Sequence, residues 1–236
     1  LEAEIFGEVR RFVSTKTPQI QQTADAVSML DFIASLSEVA AENRYVCPDI
    51  TMDGRVQIKN GRHPVVEQML RDALFVPNDT LLDTAENRMM IITGPNMAGK
   101  STYMRQVALI VIMAQIGSFV PADSASISIC DQVFTRVGAS DDLAAGQSTF
   151  MVEMSEVAHI LKRATQKSLV ILDEIGRGTS TFDGMSIAKA VVAELVNNKK
   201  LGCKTLFATH YHELTDMEGA YSGVRNYNIA VKKRGD

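Results

Sequence analysis

Three short stretches of this 236-residue chain combine residue types and spacings suited to phosphate chemistry. In Gly94-Pro95-Asn96-Met97-Ala98-Gly99-Lys100-Ser101-Thr102 the pattern G-x-x-x-x-G-K-[ST] follows an apolar strand-like run, Met89 to Ile92. It precedes an apolar helical run, Val107 to Ile116. Backbone N–H groups wrap a polyphosphate closely only where no side chain intervenes, so Gly94 and Gly99 permit both the approach and the unusual dihedrals it needs. A helix opening near Lys100 aims its unpaired N–H groups and its dipole at the anion. Lys100 then reaches the β and γ phosphates, and the Ser101 hydroxyl ligates magnesium. The bland alternative is a glycine-rich turn that happens to end in Lys-Ser.

The second stretch is Leu169-Val170-Ile171-Leu172-Asp173-Glu174, an apolar strand ending in two carboxylates. Asp173 is placed to hold the magnesium, and Glu174 to polarise an attacking water as general base. The third, Thr205 to His210, is another apolar run that ends in a histidine. At the end of a neighbouring strand, His210 can hydrogen-bond the γ phosphate or the water, whereas His63, His159 and His212 read as structural. Between these stretches, Gly138 to Phe150 forms a loop entering a helix at Ser148 or Thr149. That helix start is either a simple N-cap or an anion contact, and the anion need not belong to the same chain. Gly176-Arg177-Gly178 places an arginine beside the carboxylates, and Ser180 and Asp183 have capping-box spacing.

These groups need a frame that gathers strand ends. Apolar runs at Val133 to Val137, Ser168 to Leu172 and Thr205 to Ala208 alternate with helical patterns at 151–164 and 182–197. Such alternation predicts an α/β fold with a largely parallel sheet flanked by helices and ligands at the carboxyl ends of its strands. Before it, residues 4–13 and 24–43 repeat a helical spacing around a Thr-Lys-Thr-Pro turn at Pro18. A helical hairpin, or the ends of two longer helices, is expected over 1–43, with a domain boundary near residue 44 and the catalytic domain over 44–236. Val56-Gln57-Ile58 reads as a short strand between Asp-Gly and Asn-Gly turns.

An apolar content of 46% is ample for a core of this size, and a net charge of -4 argues against a broad nucleic-acid surface on this segment. Cys47, Cys130 and Cys203 lack any C-x-x-C partner and read as reduced, partly buried thiols of a cytosolic protein rather than a metal site. No run supports a membrane span or a secretory signal. The chain opens on Leu1 within a helical pattern, so a piece of a longer protein is expected.

Taken together, Thr93 to Gln106, Thr135 to Ala139, Ser148 to Met154, Asp173 to Thr181 and Ala208 to Tyr211 closely resemble the MutS family of DNA mismatch-repair ATPases. The resemblance is dense from Arg62 to about Leu214, and Asn96-Met97 is similar to the mismatch-repair branch. Residues 1–43 resemble the end of the family's lever helices more weakly. What the resemblance implies is an ABC-type P-loop ATPase that converts ATP to ADP with Mg2+ at composite sites of a homodimer. DNA would stimulate the full-length protein, and the cycle would switch a mismatch-bound clamp. It further implies Ser148 as the signature serine acting in trans, His210 as the switch histidine and Phe75 as an aromatic stacking on adenine, though a core phenylalanine fits the sequence equally well.

Further implied are mismatched duplex DNA bound through domains outside this chain, a downstream MutL-type partner, no membrane, and a bacterial cytoplasmic, nucleoid-associated setting. Phe6-Gly7-Glu8 spells the family's mismatch wedge but lies in a helical pattern and is taken as coincidence. The family's C-terminal dimer segment lies past Asp236, so weak dimerisation and low turnover are expected of this segment alone. Two other readings stay open. A small-molecule kinase would transfer phosphate only to an added acceptor, and a non-catalytic nucleotide-dependent module would bind without turnover.

Overall fold

The computed structural model describes residues 1–70, 74–95, 97–137 and 148–230. The chain separates into two compact units, Leu1–Arg44 and Tyr45–Asp236.

The first unit is one helix, α1 (Glu2–Glu42), which runs through Pro18 without a break. The expected hairpin turn is therefore absent. Val13, Ile20, Val27 and Ala34 recur at seven-residue spacing across the proline, and no glycine or asparagine interrupts them to favour a reversal. Pro18 removes one backbone donor, and the hydroxyls of Thr15 and Thr17 donate to the carbonyls of Phe12 and Val13 in the same turn. Phe6 is largely exposed within this helix.

The second unit begins with β1 (Asp49–Thr51), β2 (Val56–Gly61), a short helix α2 (Val66–Met69) and β3 (Asn78–Leu82). Then come β4 (Met89–Thr93), α3 (Lys100–Gln115), β5 (Ser124–Ser128), β6 (Val133–Arg136), α4 (Thr149–Arg163) and β7 (Leu169–Asp173). It closes with α5 (Thr181–Asn197), β8 (Lys204–Ala208), a 3-10 turn (His212–Asp216), α6 (Met217–Ala220) and β9 (Val224–Asn228). Two sheets result: a four-stranded one ordered β1-β5-β2-β3 and a five-stranded one ordered β6-β7-β8-β4-β9. Every pairing in the larger sheet is parallel.

Alternation along each strand divides the core. Met90, Ile92, Leu169, Ile171, Leu206 and Ala208 face α3, which also packs on Val56, Ile58 and Ile127 of the smaller sheet. Met89, Ile91, Val170, Leu172 and Phe207 face the opposite side, where Val157 and Ile160 of α4 and Val191, Val192 and Leu195 of α5 cover them. Buried on both faces, β4, β7 and β8 are continuous apolar runs, and for that reason they were legible in the sequence. The smaller sheet was not anticipated. Its strand β5, Ser-Ala-Ser-Ile-Ser, is serine-rich and takes its place by pairing with β1 and β2.

All three cysteines are free, with Cys130 and Cys203 buried and Cys47 exposed. Among the described residues no helix is long and apolar enough to cross a membrane.

Among the described glycines the closest approach is where Gly184, in the first turn of α5, meets Gly176. A Cβ on Gly184 would lie 2.2 Å from the Gly176 carbonyl oxygen and 2.3 Å from the Tyr211 hydroxyl. Gly184→Ala is expected to destabilise the fold by about 1–3 kcal/mol, read as a lower denaturation midpoint. Gly219→Ala, whose Cβ meets nothing within 4 Å, serves as the near-neutral control.

Candidate active site

Three adjacent strands set the geometry. Ala208 of β8 pairs with Ile92 of β4 on one side and with Asp173 of β7 on the other. The residues that follow are tied at the same level. Thr209 N–H donates to Ile92 O at 3.1 Å, and Glu174 N–H to Ala208 O at 2.9 Å. The phosphate-loop pattern, the carboxylate pair and His210 therefore all leave the carboxyl edge of one sheet, the edge where ligands of parallel sheets gather.

The loop after β4 turns through left-handed backbone at Gly94 (φ 142), Met97 (φ 64) and Gly99 (φ 98). Nothing lies within 4 Å of a Cβ built on Gly99, so conformation and not space requires a glycine there. Asn96 lies outside the described residues. The first intrahelical bond of α3 runs from Tyr103 N–H to Gly99 O at 2.8 Å. The N–H groups of Lys100, Ser101 and Thr102 thus have no partner within the helix. Lys100 is 5% exposed. Its Nζ donates to the carbonyl oxygens of Gly94 at 2.8 Å and Pro95 at 3.1 Å, which holds its charge over the mouth of the loop.

Met97, Gly99, Lys100, Ser101, Thr102 and Glu174 line a cleft of about 180 Å³. A larger cavity of about 300 Å³, beside Lys204 at the opposite end of β8, is lined by none of these residues.

Ser101 lies within hydrogen-bonding reach of the Asp173 carboxylate. Burial pushes the Asp173 carboxyl above the usual carboxylate range. The hydrogen bond from Ser101 opposes this, and the Glu174 charge adds to it. Asp173 Oδ1 is buried with no hydrogen-bond partner, a costly arrangement for a carboxylate. Among the described residues no cluster of three His, Cys, Asp or Glu could hold a metal by itself. A single carboxylate with a free oxygen beside a hydroxyl instead suits Mg2+, which takes few protein ligands and completes its shell with phosphates and water.

Glu174 stands at φ 53, unusual for a residue with a side chain. Its carboxylate accepts from Arg177 Nη1 at 2.6 Å, and the Arg177 side chain is 69% exposed. Ser180 caps α5, its hydroxyl accepting from Asp183 N–H. His210 is exposed, its ring lies tilted against that of Tyr211 with centroids 4.1 Å apart, and it does not line the cleft. Ser148 occupies the N-cap position of α4, but its side chain makes no cap hydrogen bond and is exposed. The preceding loop, 138–147, lies outside the described residues. Phe75 is half-buried and belongs to neither core cluster.

Some residues gain a place that the sequence did not assign them. Glu153 is 5% exposed on the inner face of α4, contacts Arg136, and accepts a hydrogen bond from Gly176 N–H. The signal was available: Glu153, Val157 and Ile160 follow the i, i+4, i+7 spacing of a buried stripe, with a charge where an apolar residue belongs.

A phosphate loop and a carboxylate pair on parallel strands flanking a third define a P-loop ATPase of the ABC type. This chain belongs to the MutS domain V family, whose model matches residues 90–236. It is 63% identical over 236 residues to the DNA mismatch repair protein MutS of Lachnoclostridium phytofermentans, and 60% identical over 236 residues to that of Ruminiclostridium cellulolyticum. The DNA mismatch repair protein MutS of Caldicellulosiruptor bescii is 60% identical over 235 residues. All of this chain is covered in each case, yet it spans only 25% to 27% of those relatives' length.

Asp173 yields a direct test. A carboxyl whose folded pKa is raised contributes most to stability below its ordinary value, and that contribution is lost as pH rises through the raised value. Asp173→Asn removes the desolvated charge. It is expected to raise the nucleotide-free melting temperature at neutral pH by about 2 °C, on the order of 1 kcal/mol in a domain of this size. The gain shrinks on acidification, and magnesium-dependent nucleotide affinity is lost. Melting curves across pH, with binding titrations, check all three outcomes.

Proposed function

We propose that this domain binds ATP with Mg2+ and hydrolyses it in a site completed by a second copy of the chain. The observation that carries the reading is the meeting of Lys100, Ser101 and Glu174 in one cleft, with the Asp173 carboxylate, one of whose oxygens has no partner, near Ser101. The loop Gly94, Pro95, Asn96, Met97, Ala98, Gly99 and Thr102 cradles the phosphates, with backbone N–H groups donated by its residues other than Pro95, which has none. Lys100 exchanges the Gly94 and Pro95 carbonyls for β and γ phosphate oxygens. Ser101 and Asp173 hold Mg2+, which when bound neutralises phosphate charge. Glu174 orients the attacking water and accepts its proton, and His210 contacts the γ phosphate. Phe75 stacks on the adenine.

Ser148 serves the other subunit's nucleotide. Its exposed hydroxyl and the free N–H groups of the first turn of α4 form an anion-seeking surface. Exposed apolar side chains at loop and helix starts, Met97, Met151 and Phe182, suit burial against a second copy. In the whole protein the cycle would switch a clamp on mismatched duplex DNA and engage a MutL-type partner, in a bacterial cytoplasmic setting.

Two measurements on the full-length protein test this reading. Glu174→Gln is expected to keep ATP affinity within about threefold while multiple turnover falls by about 10²-fold or more; unchanged turnover would remove Glu174 from the base role. Mixing Lys100→Ala with Ser148→Ala subunits tests the second copy. If Ser148 acts in trans, each mixed dimer retains one intact site, and turnover recovers to about a quarter of wild type. No recovery over either variant alone would place Ser148 in its own subunit's site.

A further inference from the structure

Gly176, two residues beyond Glu174, is held at both of its backbone groups. Its N–H donates to Glu153 Oε1 at 2.5 Å, and its carbonyl accepts the Tyr211 hydroxyl at 3.1 Å. The hydrolytic reading above uses neither contact.

The elements meeting here carry the functional residues. Glu153 lies on α4, whose N-cap is Ser148, about 8 Å along the helix axis. Tyr211 follows His210, and its ring contacts the imidazole at a tilt of 41°. The peptide between them has no room to move aside. Gly176 stands at φ 89, and a Cβ on it would lie 2.4 Å from the Gly184 carbonyl oxygen. A second contact joins the same loop to the same helix end, since a Cβ on Gly178 would meet Phe150 Cβ at 3.3 Å.

Glu153 is expensive to bury unless it is paired and hydrogen-bonded. Arg136 Nη2 lies 3.8 Å from its Oε2, while Arg136 Nε also pairs with Glu156 at 2.8 Å. Burial, with the Glu153 charge adding to it, pushes the Tyr211 phenol above its ordinary value, so it remains the protonated donor.

We propose that Glu153 and Tyr211 are positioning residues for the hydrolysis: by gripping the Gly176 peptide from both sides, they make the Ser148 end of α4, the Glu174 loop and the His210 segment move as one body. When the second copy's nucleotide engages Ser148, the displacement of α4 is delivered to Glu174 and His210 in this chain's own site. The inference rests on the reading that Ser148 acts across a dimer.

The test uses the full-length protein with Tyr211→Phe, Glu153→Met and the double variant. Tyr211→Phe removes one hydroxyl, and Glu153→Met leaves Arg136 its pairing with Glu156. The expected result is a fall in kcat of about tenfold or more with ATP affinity within about twofold of wild type. Because both residues hold one peptide, the double variant should be no slower than the slower single variant. Glu153→Gln, which keeps an acceptor for the Gly176 N–H, should recover part of the loss.

Unchanged kcat in Tyr211→Phe and in the Glu153 variants overturns the proposal. So does a loss of nucleotide affinity and melting temperature in step with kcat, which marks a merely structural role, or multiplying losses in the double variant. If Glu153→Met fails to fold, Tyr211→Phe and Glu153→Gln decide the question. Failure of the underlying reading looks different: the Lys100→Ala and Ser148→Ala mixture would then show no recovery, whatever the Tyr211 variant does.

Discussion

The site depends on one ladder of parallel hydrogen bonds, in which β8 lies between β4 and β7 with Ala208 opposite both Ile92 and Asp173. Strands in a sheet are spaced about 4.8 Å apart, so the phosphate-loop strand and the carboxylate strand stand about 10 Å apart, with the histidine strand between them. Helix α3 closes that gap. Starting at Lys100, it packs back over β7 and β8 and brings Ser101 to Asp173. A slip of one residue in β8 would invert its faces, sending Leu206 and Ala208 away from α3 and Phe207 into it.

That frame carries local costs at the points of chemistry. Asp173 keeps a buried oxygen without a partner, Glu174 adopts left-handed backbone, and Lys100 is held almost out of solvent against two carbonyls. Each is unfavourable for a domain judged by stability alone, and each suits a group that must exchange a protein contact for a phosphate, a metal or a water. The surrounding apolar layers supply the compensation: the strands β4, β7 and β8 are sealed on both faces.

A second organising point lies just beyond the carboxylates. Gly176 and Gly184 approach so closely that neither tolerates a Cβ, and the Glu153 carboxylate and the Tyr211 hydroxyl close over the peptide that results. The contacts there tie α4 and the Tyr211 segment to the stretch from Gly176 to Gly184. Polar clamps of this kind specify one arrangement, because a shifted alternative leaves a buried carboxylate unpaired.

By itself the sequence determined the phosphate loop, the carboxylate pair, the parallel α/β frame and the family, because each rests on local spacing: G-x-x-x-x-G-K-S, apolar runs ending in charge, and helices between strands. It did not reveal the continuous helix through Pro18, where a breaker residue conflicted with an unbroken seven-residue period. Nor did it reveal the smaller sheet, whose β5 is held by its partners rather than by its composition. Tertiary structure alone decided that Asp173 keeps an orphaned oxygen beside Ser101, that Ser148 leaves its hydroxyl uncapped, and that Glu153 reaches Gly176. These facts depend on which side chains long-range packing brings within about 3 Å of one another, and no pattern along a single strand or helix encodes that distance.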